Sequence, residues 1–152
     1  MSYVSTAGAP VGSCVFCAAL AAGDDRRGLI VHRSQHAFLV LNAFPYVSGH
    51  VMAAVTRHGG GLEDATAGEL AETMQLVQAA IRALRAAYRP DGFNVGVNEG
   101  RVAGAGVPDH LHVHVVPRWE GDTNFMPVLG DTRVLPESLD ATYDRLTAAL
   151  RS

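Results

Sequence analysis

The sequence contains no lysine. Its twelve basic residues are all arginine, and fifteen acidic residues bring the formal net charge to -3. A chain with this balance has no general electrostatic attraction to nucleic acid or to an anionic membrane, so we expect neither as a partner. Arginine still suits local contacts to phosphate, because the guanidinium is a planar fork of hydrogen-bond donors.

Long apolar runs are absent as well. No stretch of the sequence is long and apolar enough to span a bilayer, and the first twelve residues lack the basic start and apolar core of a signal peptide. We therefore expect a cytoplasmic protein, with a flexible tail over residues 1–12 and a single domain over residues 13–152.

Cysteine is scarce too, and its placement is informative. The only two cysteines are Cys14 and Cys17, with the spacing C-x-x-C. A structural disulfide is not expected in a reducing compartment, so this pair favours metal or redox chemistry. By spacing it is half of a zinc site. A buried pair without a redox or metal role is the alternative.

The order of helices and strands predicts an α+β domain. Apolar residues at spacings of three and four predict a long helix from about Thr66 that ends at Pro90 and Gly92, and a C-terminal helix is expected over residues 137–150. Strands are predicted over residues 29–32, 37–42, 50–56, 93–98 and 110–116. Strands before and after one long helix indicate an antiparallel sheet of about five strands with helices on one side.

The strand at residues 110–116 carries three histidines. His110, His112 and His114 alternate with apolar residues, so in a strand we expect the imidazoles on one solvent-side face and the apolar residues in the core. Two functions suit such a row. Imidazoles at this spacing are zinc ligands, and a neutral imidazole, with an ordinary pKa of about 6.5, is a good nucleophile near pH 7.

A glycine-rich loop precedes the histidine strand, with Gly100, Gly104 and Gly106 among residues 98–106. Glycine lets backbone amides approach phosphate oxygens closely. Most such loops are only turns, but one directly before three histidines favours the nucleophilic interpretation.

At these residues the chain resembles the histidine triad (HIT) superfamily. The family motif His-φ-His-φ-His-φ-φ, in which φ is apolar, matches residues 110–116 at every position. The resemblance covers residues 14–130 and includes Asn42, Pro45, Gly49 and His50. Residues 117–125 are more similar to the actinobacterial diadenosine tetraphosphate phosphorylase branch, which is itself similar to the fragile histidine triad hydrolases.

This resemblance implies a role for each matching residue. His112 would be the nucleophile, His114 would donate to the phosphoryl oxygens and the leaving group, the backbone carbonyl of His110 would hold the His112 ring, and His50 would buttress the triad. The expected nucleotide-binding residues are Asn42, Asn98, Gly104, Ala105, Gly106 and Trp119, the last by stacking on a base.

The implied reaction is nucleotidyl transfer from a dinucleoside polyphosphate through a nucleotidyl-histidine, with water or phosphate as acceptor and no catalytic cofactor. The alternatives are a nucleoside phosphoramidate hydrolase, a low-turnover nucleotide-binding regulatory module, and a zinc-dependent hydrolase that uses all three triad histidines. One departure bears on the substrate. Relatives carry Ser or Thr just before the triad, where this chain has Gly106, Val107 and Pro108, so a hydroxyl donor is missing unless Thr123 or a backbone amide replaces it.

The resemblance also completes the zinc site and suggests an assembly. Many bacterial relatives combine the two cysteines with a histidine eight residues after the Gly-His pair and with the first triad histidine, which here gives Cys14, Cys17, His58 and His110. Four protein ligands leave no open position, so this zinc would be structural. Relatives pair through the long helix and an edge strand, so a homodimer or homotetramer is expected.

Overall fold

The computed structural model describes residues 11–123 and 137–152. Ten of the twelve residues in the expected tail, and Asn124 and Phe125 of the segment after the triad, lie outside this range. The described strands are β1 Ile30–Arg33, β2 Ala37–Leu41, β3 Val51–Val55, β4 Gly92–Gly96 and β5 His112–Arg118, and the described helices are α1 Val15–Ala21, α2 Ala67–Tyr88 and α3 Leu139–Arg151. The strands form one antiparallel sheet in the order β1-β2-β3-β5-β4. The predicted α+β fold is confirmed.

The long helix α2 begins and ends where the sequence predicts. The Thr66 side chain accepts from the Glu69 amide while the Glu69 carboxylate accepts from the Thr66 amide, which satisfies two otherwise orphan donors. Arg89 follows the last turn in a left-handed conformation, and Pro90 cannot continue the helix. Among the described helices, none is both long and apolar enough to cross a membrane.

Helices cover both faces of the sheet. On one face, α2 and α3 pack on the apolar side chains of the central strands, which include Leu39, Val113 and Val115. On the other face, Phe16 of α1 packs in a second cluster with Phe38, Val40, Met52 and Ala54. Strands β2 and β3 are buried along their whole length for this reason.

Two details of the sequence prediction are therefore wrong. Helices do not lie on one side only, and the histidine face is not a solvent-side face: His110 is 1% exposed and His112 4%. The cause is α1, which the sequence analysis missed and which places Phe16 over this face. The predicted inward direction of Val113 and Val115 is confirmed.

Strand β5 lies between β3 and β4, so its backbone pairs with a neighbouring strand on each edge. The strand begins at His112, two residues later than predicted, and continues through Pro117 to Arg118. Proline is tolerated there because pairing with β3 runs only from Val51–Val115 to Ala54–His112. The nucleophile predicted from sequence thus stands at the first position of a central strand.

Candidate active site and metal centre

A cavity of about 330 Å³ opens beside the triad. Its wall of α1 contributes Val15, Phe16 and Ala19, and its floor contributes Val40 and Met52. Other residues that line the cavity include Asn42, Phe44, Tyr46, Gly104, Gly106, Val107, His112 and His114. An apolar cleft with a few convergent polar groups is the usual form of a small-molecule site. Phe16 and Tyr46 were not predicted, although Phe16 stands between the two cysteines and Tyr46 shortly before the Gly-His pair.

His112 presents one defined nitrogen to this cavity. Its Nδ1 lies 2.7 Å from the backbone carbonyl oxygen of His110. A carbonyl can only accept, so Nδ1 carries the hydrogen and Nε2 keeps its lone pair. Burial lowers the pKa of His112, against the opposing effect of this hydrogen bond. The result is a neutral imidazole with a fixed ring and a fixed tautomer.

A chain of hydrogen bonds sets the tautomer of His114. The backbone N–H of Tyr46 donates to Nδ1 of His50 at 3.2 Å, so the hydrogen of His50 is on Nε2. That Nε2 lies 2.9 Å from Nδ1 of His114, which must therefore accept. His114 then carries its hydrogen on Nε2 as a donor. Burial, with a smaller effect of His112, lowers the pKa of His114 to about 4.

Some of the loop residues that were predicted to bind nucleotide line the cavity, and others do not. Asn42 lines it, and its Oδ1 accepts from the amide of Phe44 at 2.9 Å. Gly104 and Gly106 also line it, and Gly104 has a φ of 93°, which favours glycine. Ala105 is buried and is not among the residues that line the cavity. Asn98 borders this loop, because a Cβ added at Gly104 would lie 3.7 Å from its Nδ2.

Trp119 is not among the residues that line this cavity. It borders a separate cavity of about 470 Å³ together with Tyr88 and Arg145, and its indole N–H donates to the Tyr88 carbonyl at 3.4 Å. The possible hydroxyl donor Thr123 also lies elsewhere, against Arg118 and Asp122. Within one chain, the structure does not bring either residue to the histidines.

The four predicted metal ligands converge. One donor atom from each of Cys14, Cys17, His58 and His110 lies within 4.8 Å of the others. The Sγ of Cys14 is 3.4 Å from Nδ1 of His110, and the Sγ of Cys17 is 3.4 Å from Nδ1 of His58. These residues therefore lie close enough together to bind a metal.

The chemistry of this donor set suits a soft divalent ion. Nε2 of His110 lies 2.6 Å from the carbonyl of Val55 and must donate, which leaves the Nδ1 lone pair directed at the cysteines. Burial, with the neighbouring Cys14, raises the pKa of Cys17 to about 11, and a bound dication would reverse this by stabilising the thiolate. Two sulfurs and two imidazole nitrogens make a typical tetrahedral zinc set.

The sequence was compared with models of known protein families, and one family matches. The sequence model of the HIT domain family matches residues 26–121. The chain therefore belongs to the HIT domain family, and the matched residues include His110, His112 and His114.

Two curated proteins are similar to this chain in sequence. An AP-4-A phosphorylase of Mycobacterium tuberculosis is 48% identical over 119 residues, which are 78% of this chain and 61% of that protein. A bis(5'-adenosyl)-triphosphatase of Saccharomyces cerevisiae is 32% identical over 92 residues, 60% of this chain and 44% of that protein. The chain thus spans less than two thirds of the length of these relatives.

A solved structure is similar over almost the whole chain. A Zn-bound histidine triad family protein from Mycobacterium smegmatis superposes with a TM-score of 0.75 at 26% identity, covering 93% of this chain and 96% of that one. A HIT-fold protein with bound zinc thus exists among the structural neighbours.

Proposed function

We propose that the protein is an enzyme that cleaves a dinucleoside polyphosphate, such as diadenosine tetraphosphate, at the α-phosphate through a nucleotidyl-His112 intermediate. The observation that carries this proposal is the 2.7 Å hydrogen bond from Nδ1 of His112 to the His110 carbonyl, which reserves Nε2 for attack. The names of the two curated relatives, AP-4-A phosphorylase and bis(5'-adenosyl)-triphosphatase, support the substrate class.

In the first step Nε2 of His112 attacks the α-phosphorus in line. A P–N bond forms, the bond from phosphorus to the bridging oxygen breaks, and its electron pair stays on the leaving polyphosphate. The His112 ring becomes cationic, and the His110 carbonyl stabilises this charge through the Nδ1 hydrogen bond. The Nε2–H of His114 donates to the developing oxyanion, and backbone amides of the loop with Gly104 and Gly106 supply further donors.

In the second step an acceptor oxygen attacks the same phosphorus and the electron pair of the P–N bond returns to Nε2 of His112. Inorganic phosphate attacks as an anion and gives a nucleoside diphosphate. Water gives a nucleoside monophosphate and releases its proton to solvent. Dividing one difficult displacement into two easier ones is the general advantage of covalent catalysis.

The tautomers favour a polyphosphate leaving group over an amine. A polyphosphate leaves as an anion and needs only a hydrogen bond, which His114 supplies. An amine needs a full proton. If His114 gave up its Nε2 proton, the Nε2 proton of His50 would have to move to Nδ1 of His114. His50 would then carry no ring proton, because its Nδ1 accepts from the Tyr46 amide. The phosphoramidate hydrolase is for this reason the second candidate.

We also propose that Cys14, Cys17, His58 and His110 hold a structural zinc ion. When bound, the ion would cross-link α1 to the residues just before β5. A zinc-dependent hydrolase that uses all three triad histidines fits less well, because the ring of His110 is directed at the cysteines and the Nδ1 of His112 at a carbonyl.

The remaining proposals concern the whole protein. We propose a cytoplasmic enzyme with a single domain over residues 13–152 and a homodimeric or homotetrameric assembly. Strand β4 lies at an edge of the sheet with its second half exposed, which supports pairing with another copy.

Product analysis tests the reaction. Diadenosine tetraphosphate incubated with the protein should give ATP and AMP in water, and ATP and ADP when phosphate is the acceptor. His112→Asn should abolish both reactions without loss of fold. Nucleotide binding without any product would favour the regulatory module, and wild-type turnover by His112→Asn would exclude the covalent route.

A further inference from the structure

The small volume of the cavity beside the triad favours one nucleoside over two. Its volume of about 330 Å³ is near the lower end of ligand cavities, which run from roughly 300 to 1,000 Å³. Its inner surface is apolar, with Phe16, Val40 and Met52, and suits the base of the nucleotide that is transferred. The second nucleoside of a dinucleoside polyphosphate must then lie at the rim.

Tyr46 occupies the rim next to the leaving-group donor. Its ring is nearly parallel to that of His114, at 17° with centroids 6.2 Å apart, and lies 4.5 Å from the ring of His50. A leaving polyphosphate that accepts from Nε2 of His114 would carry its nucleoside past this ring. The aromatic side chain of Tyr46 therefore stands beside the histidine that is expected to contact the leaving polyphosphate.

The loop between β2 and β3 exposes two aromatic side chains to solvent. Tyr46 is 47% exposed and Phe44, two positions earlier, is 59% exposed, and both line the cavity. Exposed large apolar groups at the edge of a cleft commonly mark a binding surface. Every nucleobase has a π-face, so an aromatic platform binds a base without selecting its identity.

We propose that Tyr46 is a specificity-determining residue that stacks on the base of the leaving nucleotide. This proposal rests on the proposed function and deepens it, because it explains how the site distinguishes a dinucleoside polyphosphate from a nucleotide with the same phosphates and no second nucleoside. The aromatic ring, and not the hydroxyl, makes the contact.

The test compares two substrates with one cleavage chemistry. Diadenosine tetraphosphate and adenosine 5'-tetraphosphate are both cut at the α-phosphate of an adenosine, but only the first has a second nucleoside. We define the selectivity as the ratio of their kcat/KM values. Any effect of a substitution on His50 or His114 acts on both substrates and cancels in this ratio.

We expect Tyr46→Leu to lower the selectivity by about 10- to 100-fold, the scale of one base stacked on an aromatic ring. Tyr46→Phe, the matched control, should retain it, and Tyr46→Trp should retain or raise it. An unchanged ratio in Tyr46→Leu, or an equal loss in Tyr46→Phe, would overturn the proposal. If Tyr46→Leu does not fold, Tyr46→Trp replaces it as the test, and a large loss of selectivity in that variant would overturn the proposal.

The same experiment separates this proposal from the reaction itself. Diadenosine tetraphosphate should form an adenylyl-protein in the wild type, which alkaline quenching preserves for mass measurement. No adduct and no turnover would refute the proposed function. An adduct together with an unchanged ratio would refute only the role of Tyr46.

Discussion

The substitution Phe16→Ala tests whether α1 covers the histidine face of the sheet. Phe16 is 4% exposed, and its ring lies 5.1 Å from the rings of both His110 and His112 and 6.2 Å from that of Phe38. Replacing a buried phenylalanine by alanine lowers the free energy of unfolding by about 3–5 kcal/mol. Because one side of Phe16 borders an open cavity that water can enter, we expect a loss near 3 kcal/mol.

Urea unfolding of the zinc-saturated protein measures this loss, and two further variants serve as controls. Phe16→Leu keeps most of the volume and should lose less than about 1.5 kcal/mol. Val15→Ala changes the neighbouring residue on the same helix, which is 56% exposed, and should stay within about 0.5 kcal/mol of the wild type. A Phe16→Ala protein as stable as Val15→Ala would refute the placement of α1 over His110 and His112.

Three further predictions follow from the metal centre, the α2 cap and the exposed edge. Chelation or Cys17→Ser should remove one zinc per chain and lower the melting temperature, because metal bound only by the folded state stabilises it; elemental analysis and calorimetry check this, and an unchanged melting temperature after chelation would contradict it. Hydrogen bonds from Arg57 hold the pKa of Glu69 at about 2, below its usual value of 4.5, so the stability from the carboxylate is present above about pH 4.5 and lost as the pH falls toward 2. The stability difference between wild type and Glu69→Gln should shrink over that range, and a constant difference would count against the ion pair. Val95→Arg on the exposed edge strand β4 should convert the proposed oligomer to a 16.0 kDa monomer in sedimentation, and a wild type that is already monomeric at micromolar concentration would exclude the assembly.

The sequence predicted those features that depend on local pattern. The ends of α2 and the alternation in β5 depend on local pattern, and the structure has both. The four candidate metal ligands followed from spacing together with family resemblance, and the structure places them close enough together to bind a metal.

Features that depend on tertiary contact were not predictable in the same way. Helix α1 has seven residues, too few for a clear period, so the burial of His112 under Phe16 had no sequence signal. The tautomer of His114 depends on Tyr46 and on His50, which is 64 positions away in the chain. The expected contact of Trp119 with the nucleotide relied on its position after β5, but the chain directs the indole toward Tyr88.

The central claim is the covalent bond between His112 and a nucleotide, and trapping that bond tests it most directly. The protein is mixed with diadenosine tetraphosphate without added phosphate, quenched in alkali within the first turnover, and analysed by intact mass and peptide mapping. The proposed mechanism predicts one adenylyl group on His112 that disappears when phosphate is added, and no adduct in His112→Asn. Burst-free product formation with no adduct at any time, or an adduct on another residue, would contradict it.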